Sequence, residues 1–294
     1  MNVAVASGKG GTGKTTVTAS LASVWDGPLT AVDLDVEEPN LHLFLHPEIK
    51  GRETVGLTVP VVDEDRCTLC GACSELCQFK AISVMGDLVM TFPEMCHGCG
   101  GCLAVCPEKA LSPGNRDLGE ISWGRAGSVN FVMGQLRIGE AMSPPLMREV
   151  KAKLPGLFPD AAGDVIIDAP PGTSCPAINA VMDSDIIVLV TEPTPFGFHD
   201  FKLAVEAFTP LGKPMGVVIN RAGLGDNAIY EYCKARNFPI WAEIPFDRRL
   251  AEAYSNGRIV AEACEDTRRI FTGLAERLRI VSGQKAAGRE VSHA

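Results

Sequence analysis

Two sets of residues in this 294-residue chain have the types and spacing to do chemistry. The first is Gly8-Lys9-Gly10-Gly11-Thr12-Gly13-Lys14-Thr15, which fits the phosphate-binding pattern G-x-x-x-x-G-K-[ST]. Its glycines let backbone N–H groups turn inward to form an anion nest at a helix N-terminus. Lys14 would reach the β- and γ-phosphates of a nucleotide and Thr15 would ligate Mg²⁺, with Gly8, Gly10, Gly11, Thr12, Gly13 and Thr16 lining the phosphates. Two acidic strand ends accompany the loop. Asp33 and Asp35 lie in Asp33-Leu-Asp35-Val-Glu-Glu, where they would serve a Mg²⁺ shell and position water, or cap a helix start. Asp168 ends Asp164-Val-Ile-Ile-Asp168 and runs into Ala-Pro-Pro-Gly172. It would hold the Mg²⁺ shell, and Gly172 would let the backbone approach the γ-phosphate.

The second set is sulfur. Of eleven cysteines, eight form Cys67-x-x-Cys70-x-x-Cys73-x-x-x-Cys77 and Cys96-x-x-Cys99-x-x-Cys102-x-x-x-Cys106, each recurring 29 positions on. The same offset pairs Gly71 with Gly100, Lys80 with Lys109 and Ala81 with Ala110, so the stretch is an internal duplication. In a reducing compartment such packing means metal rather than disulfides. Four thiolates also suit zinc, but triplets with a remote fourth cysteine favour iron–sulfur. The pattern resembles that of bacterial two-cluster ferredoxins, in which the fourth cysteine of each repeat ligates the other cluster. That resemblance implies two 4Fe–4S ligand sets: Cys67, Cys70, Cys73 with Cys106, and Cys96, Cys99, Cys102 with Cys77. Gln78 stands where proline usually follows the fourth cysteine.

The elements that must position these residues can be read from hydrophobic runs. Val3–Ala6, Leu29–Val32, Asp164–Asp168, Ile186–Val190, Met215–Ile219 and Ile240–Ile244 read as buried strands. Helices are expected after the glycine loop, over 147–154 (ended by Pro155 and Gly156), and near 198–208, 227–235, 249–254 and 267–280. Alternating strands and helices predict an α/β fold with a mostly parallel, doubly wound sheet. The expected domains are a discontinuous nucleotide domain (1–62 and 114–282), an α+β insert (63–113) and a flexible tail (283–294). The insert is too small for a sufficient apolar core and should fold around its metal.

Bulk properties narrow the partners. A net charge of −9 and a pI near 5.1 argue against a general nucleic-acid binder. No apolar run approaches the roughly 20 residues of a membrane span, and the chain enters the nucleotide fold at once, so a cytoplasmic protein is expected.

The loop is a particular one. Lys9 precedes the glycines, as in the deviant Walker A of the MinD/ParA/nitrogenase-iron-protein group, and Asp33-x-Asp35 and Asp168-Ala-Pro-Pro-Gly172 resemble that group's switch I and switch II. With the cysteine insert, the chain resembles MinD-superfamily P-loop ATPases carrying an inserted ferredoxin domain. The resemblance implies an ATP-dependent homodimer with Lys9 crossing to the partner's nucleotide. Asp35 would position the attacking water, Asp33 would support Mg²⁺, Asn220 with Arg221 would read adenine, and Pro245 would flank the base. It implies a slow ATPase passing electrons through two clusters to or from a redox or iron–sulfur partner protein, with nucleotide state moving the clusters. A cluster-assembly or carrier ATPase and a nucleotide-switched positioning scaffold are the alternatives. MinD ends in a basic amphipathic membrane-binding helix; the tail here, with Gly283, Gly288 and few apolar residues, has no such character. Cys175 lies at a switch II position that ligates a cluster in the nitrogenase iron protein, but no second such cysteine is found, and a buried or interfacial thiol is the plainer reading. Cys233 and Cys264 read as helix packing residues.

Overall fold

The computed structural model describes residues 1–159 and 163–291, with side chains as far as Gln284. Two compact units emerge: Met1–Arg52, Ile121–Gln135 and Met147–Ala294 form the first, and Glu53–Glu120 with Leu136–Leu146 the second. The first unit opens with β1 (Asn2–Ala6), α1 (Lys14–Val24), β2 (Leu29–Asp33) and α2 (His42–Leu45). Strand β3 (Glu48–Val62) begins there and continues into the second unit, which holds α3 (Ala72–Leu76), β4 (Ile82–Met85), β5 (Leu88–Thr91) and α4 (Gly101–Val105). Strand β6 (Leu111–Ala126) brings the chain back to β7 (Val129–Leu136). Then come α5 (Ser143–Leu157), β8 (Asp164–Asp168), α6 (Cys175–Val181), β9 (Ile186–Thr191), α7 (Pro195–Phe208), β10 (Met215–Ala222), α8 (Ala228–Arg236), β11 (Ile240–Pro245), α9 (Arg248–Ser255) and α10 (Glu265–Val291).

The strand order is β11-β10-β9-β1-β8-β2-β7-β6-β3, and every neighbouring pair from β11 to β7 is parallel. Residues in β1, β2, β8 and β9 are buried almost without alternation, because helices cover both faces of a parallel sheet. Helix α1 is buried nearly all round, and its hydroxyls are satisfied: Thr18 donates to the Lys14 carbonyl, and Ser20 accepts from the Ala261 N–H. On α10, Phe271, Leu274 and Leu278 are fully buried and join Val17 and Leu21 of α1 in the main core.

The second unit has little apolar interior. Between Asp63 and Lys109, Ala81 and Ile82 are the only buried residues. The duplication is written into its backbone. Helices α3 and α4 each start from a left-handed glycine, Gly71 at φ 80° and Gly100 at φ 70°, and Lys80 and Lys109 share positive φ values of 53° and 49°. Strands β4 and β5 pair antiparallel. The segment 136–146 belongs to this unit rather than to the nucleotide unit. Buried Arg116 pairs with Glu140 and with Glu94, and Arg137 also binds Glu94. These charge contacts fall between residues far apart in sequence, which local patterning does not expose.

Three local expectations need correction. Helix α5 starts at Ser143 and continues through Pro155 to Leu157; the proline falls in the last turn, where the helix ends two residues on. Cys264 precedes α10 instead of lying in it, its Sγ 3.2 Å from Thr267 Oγ1. Helix α10 itself runs on to Val291, past Ile280, where the helix was expected to end. The tail's last residues, 292–294, lie outside the described residues.

Candidate functional site

Strand register sets the acidic residues. Asp33 ends β2 and Asp168 ends β8, paired directly across the sheet, with Val5 of β1 on the other side of Asp168. These C-terminal strand ends border the crevice where parallel sheets bind ligands. The phosphate loop leaves β1 and enters α1 through Gly13 at φ 99°, ψ 25°. Glycine is required there twice over, since a Cβ would also lie 2.3 Å from Asn220 Nδ2. Gly8 carries no side chain because a Cβ would lie 2.0 Å from the Asp200 carbonyl oxygen.

Behind the loop the polar groups form one network. Thr15 Oγ1 donates to Asp168 Oδ2 at 2.6 Å, and Thr18 Oγ1 shares its one proton between the Lys14 carbonyl at 3.0 Å and Asp168 Oδ1 at 3.2 Å. Asp33 accepts the Asp35 N–H at 3.0 Å and the Leu41 N–H at 2.9 Å, one on each oxygen. Burial pushes Asp33 well above the usual carboxylate range, and the Asp168 charge adds to this. Burial raises Asp168 as well, opposed by Lys14 and by the two threonine hydroxyls. Asp35 is pushed up to about 7 by burial, with Lys14 pulling down and Asp168 and Glu37 pushing up. Lys14 thus faces Asp35 and Asp168, with Asp33 behind them against Asp168, a site short of positive charge. The Thr15 hydroxyl spends its proton on Asp168, which leaves its oxygen lone pairs for a cation; this donor set fits Mg²⁺.

A cavity of about 390 Å³, within the range of small-molecule pockets, opens above the loop. Gly10, Gly11, Gly13, Lys14, Thr15 and Thr16 form its floor, and Asp35 reaches it from the switch I stretch. Asn220, Arg221 and Pro245 line it from the ends of β10 and β11. Phe44 and Tyr254, stacked at 5.4 Å, add an aromatic wall that the sequence did not reveal.

Several expected residues sit elsewhere. Thr12 is buried outside the cavity, its hydroxyl without a partner among the described residues, while its carbonyl accepts from Asn220 Nδ2 at 2.8 Å. Asn220 thus ties the end of β10 to the loop. Gly172 takes φ 94°, and its N–H donates to the Ser7 carbonyl at 2.9 Å, so contact with a γ-phosphate requires that bond to break. Lys9 bonds within its own chain, Nζ to Glu192 Oε1 at 2.8 Å. Glu192, to which sequence reasoning gave no role, also binds Arg221 at 2.6 Å. Burial opposes its charge, yet Lys9 and Arg221 hold it below the usual carboxylate range. The available signal was an acid directly after a buried strand in Thr191-Glu192-Pro193. Cys175 is exposed and opens α6, while Cys233 is buried, its thiol pushed up to about 11 by burial.

In the second unit the cysteines surround two separate cavities. One is lined by Cys67, Cys70, Cys73 and Cys106, the other by Cys77, Cys96, Cys99 and Cys102. Each cavity therefore takes three cysteines from one repeat and the fourth from the other. Burial raises the Cys73 and Cys102 thiols, and neighbouring thiols of the same triplet add to the shift. Backbone N–H groups already point at sulfur: Ala81 to Cys77 and Ala110 to Cys106, both at 3.3 Å, and Gly98 to Cys96 at 3.4 Å. Among the described residues no three His, Cys, Asp or Glu side chains converge closely enough to hold one metal ion. Nor, among those residues, is any helix long and apolar enough to cross a membrane.

The profile of the CobQ/CobB/MinD/ParA nucleotide binding domain matches residues 3–260. Two uncharacterized proteins of Methanocaldococcus jannaschii are similar over most of their length. MJ0578 is 32% identical over 283 residues, covering 95% of this chain and 96% of its own, and MJ0579 is 31% identical over 265, covering 87% and 90%. Among solved structures, the septum site-determining protein MinD with Mg-ADP from Pyrococcus horikoshii OT3 has a TM-score of 0.56 at 20% identity, with 97% and 98% of the two chains covered. The MinC:MinD cell division complex of Aquifex aeolicus gives 0.55 at 15% identity, with 95% of each chain covered. At such identities these structures establish likeness of fold.

Proposed function

The chain belongs to the CobQ/CobB/MinD/ParA nucleotide-binding family, and from that premise we propose that it is a slow MgATPase whose second unit carries electrons through two 4Fe–4S clusters. The observation that carries the reading is the division of eight cysteines into two quartets, each around its own cavity and each mixing the repeats. A cubane is larger than a single ion, so four thiols spread around a cavity suit it better than four converging on a point. The scarcity of buried residues between Asp63 and Lys109 supports the same view, since such a segment needs a staple. When bound, clusters of this type supply one-electron transfer. Cys67, Cys70, Cys73 and Cys106 would hold one, and Cys96, Cys99, Cys102 and Cys77 the other, with the N–H donors at Cys77, Cys96 and Cys106 stabilising thiolate charge.

At the nucleotide site, Lys14 and the loop N–H groups bind the β- and γ-phosphates. Thr15, backed by Asp168 and Asp33, would hold Mg²⁺, which neutralises phosphate charge. Asp35 lines the cavity and accepts a hydrogen bond from the attacking water, orienting it. Asn220 and Pro245 flank the base, and Lys9 serves the nucleotide of a second copy. The scaffold alternative has the MinD-like fold in its favour, but it leaves the two cysteine quartets without a purpose.

The test is anaerobic purification with iron, sulfide and zinc analysis. About eight irons per chain, with charge-transfer absorption that bleaches on reduction, are expected. Stoichiometric zinc without that absorption would reject the electron-transfer reading and leave the ATPase reading intact.

A further inference from the structure

We propose that Glu192 is a latch that keeps Lys9 folded back on its own subunit, and Arg221 beside it, until nucleotide phosphates draw Lys9 away. This rests on the reading above that Lys9 serves the nucleotide of a second copy. The geometry is a carboxylate shared between two cations. Oε1 accepts from Lys9 Nζ at 2.8 Å and from Thr194 Oγ1 at 3.3 Å, while Oε2 accepts from Arg221 Nη1 at 2.6 Å. Glu192 is only 6% exposed, so its side chain has one direction to take.

The surrounding turn is built around that side chain. A Cβ on Gly197 would lie 2.3 Å from the Glu192 carbonyl oxygen and 2.8 Å from its Cγ. A Cβ on Gly225, at φ 83°, would lie 1.7 Å from the Pro193 carbonyl oxygen. Both glycines remove bulk where the turn must pass, which fixes the acid between the phosphate loop and the end of β10. Neither the acids at the strand ends nor the base pocket needs a further buried carboxylate here.

The latch can open because Glu192 has two partners. Removing the sole partner of a buried charge is costly, since the charge is left uncompensated. When Lys9 leaves, Arg221 still pairs with Glu192. Lys9 itself needs only a side-chain swing: its carbonyl is pinned by Ser7 Oγ at 2.6 Å, and its side chain is 28% exposed. Triphosphate oxygens carry more negative charge than one carboxylate and outcompete it. A weakened latch therefore favours the state in which Lys9 reaches across to another copy.

The experiment is sedimentation velocity of the full chain titrated with a non-hydrolysable MgATP analogue, with MgADP as reference. Glu192→Gln, which keeps the shape and removes the charge, should dimerise at roughly tenfold lower analogue concentration than wild type, the scale of one lost charged hydrogen bond. In a Lys9→Ala background the same substitution should produce no shift. Identical titrations for wild type and Glu192→Gln, or an equal shift with and without Lys9, would overturn the latch. If Glu192→Gln does not fold, Glu192→Asp withdraws the carboxylate by one methylene and should shift the titration in the same direction by less; no shift there overturns it equally. A wild-type protein that binds the analogue without dimerising would instead reject the assignment of Lys9 to a second copy.

Discussion

Lys14 and Asp35 line the same cavity, and in the proposed ATPase they act on different steps. Lys14 is buried beside Asp35 and Asp168, so Lys14→Ala removes both the proposed phosphate clamp and the cation that offsets those two acids. Equilibrium binding of a fluorescent ATP analogue should fall below detection. Asp35→Ala leaves the loop untouched and relieves charge repulsion, so ATP binding should persist or tighten while turnover stops. Single-turnover hydrolysis checks this; a wild-type rate in Asp35→Ala would remove the role given to it.

Among the elements, α10 is the one whose local signal most understates its role. Its sequence is rich in charge, yet Phe271, Leu274 and Leu278 form a fully buried seam that joins the core at α1, the helix that starts from the phosphate loop. Leu274→Ala should cost about 2–5 kcal/mol, seen as a lower urea midpoint. Because the loop is anchored through α1, saturating MgADP should recover part of that loss by mass action. An unchanged midpoint would mean that the seam contributes little. The helices starting at Lys14 and Ala228 were legible from the chain, as were the strands ending at Asp33 and Asp168, because runs and caps are local. The passage of α5 through Pro155 was not, since a proline carries meaning only through its position in a turn.

At the scale of the whole molecule the two units should differ in what keeps them folded. The nucleotide unit has a continuous apolar core around Val3, Val5, Phe131 and Phe271, whereas Ala81 and Ile82 alone are buried through the cysteine repeats. On the proposed iron–sulfur reading, removing metal by acid and chelator should therefore loosen residues 63–110 and spare the first unit, because metal bound there would be folding energy. Hydrogen exchange with mass spectrometry should show fast exchange confined to peptides of the insert. Uniform protection before and after metal removal would show that the insert stands without it.

The sequence alone determined the chemistry available here: a phosphate loop with Lys9, Lys14 and Thr15, acids at strand ends, and a duplicated set of eight cysteines. It also determined a mostly parallel α/β sheet, because period and composition are set by short-range geometry. Tertiary structure decided the rest. Strand order placed Asp33 against Asp168, and the ends of β10 and β11 brought Asn220 and Pro245 to the loop. Folding also set Cys106 among the first triplet, Cys77 among the second, and Glu192 between Lys9 and Arg221. Glu192 and Lys9 stand 183 positions apart, and no periodicity or spacing rule spans that distance; the contact exists only because β1 and β9 pair side by side in the sheet.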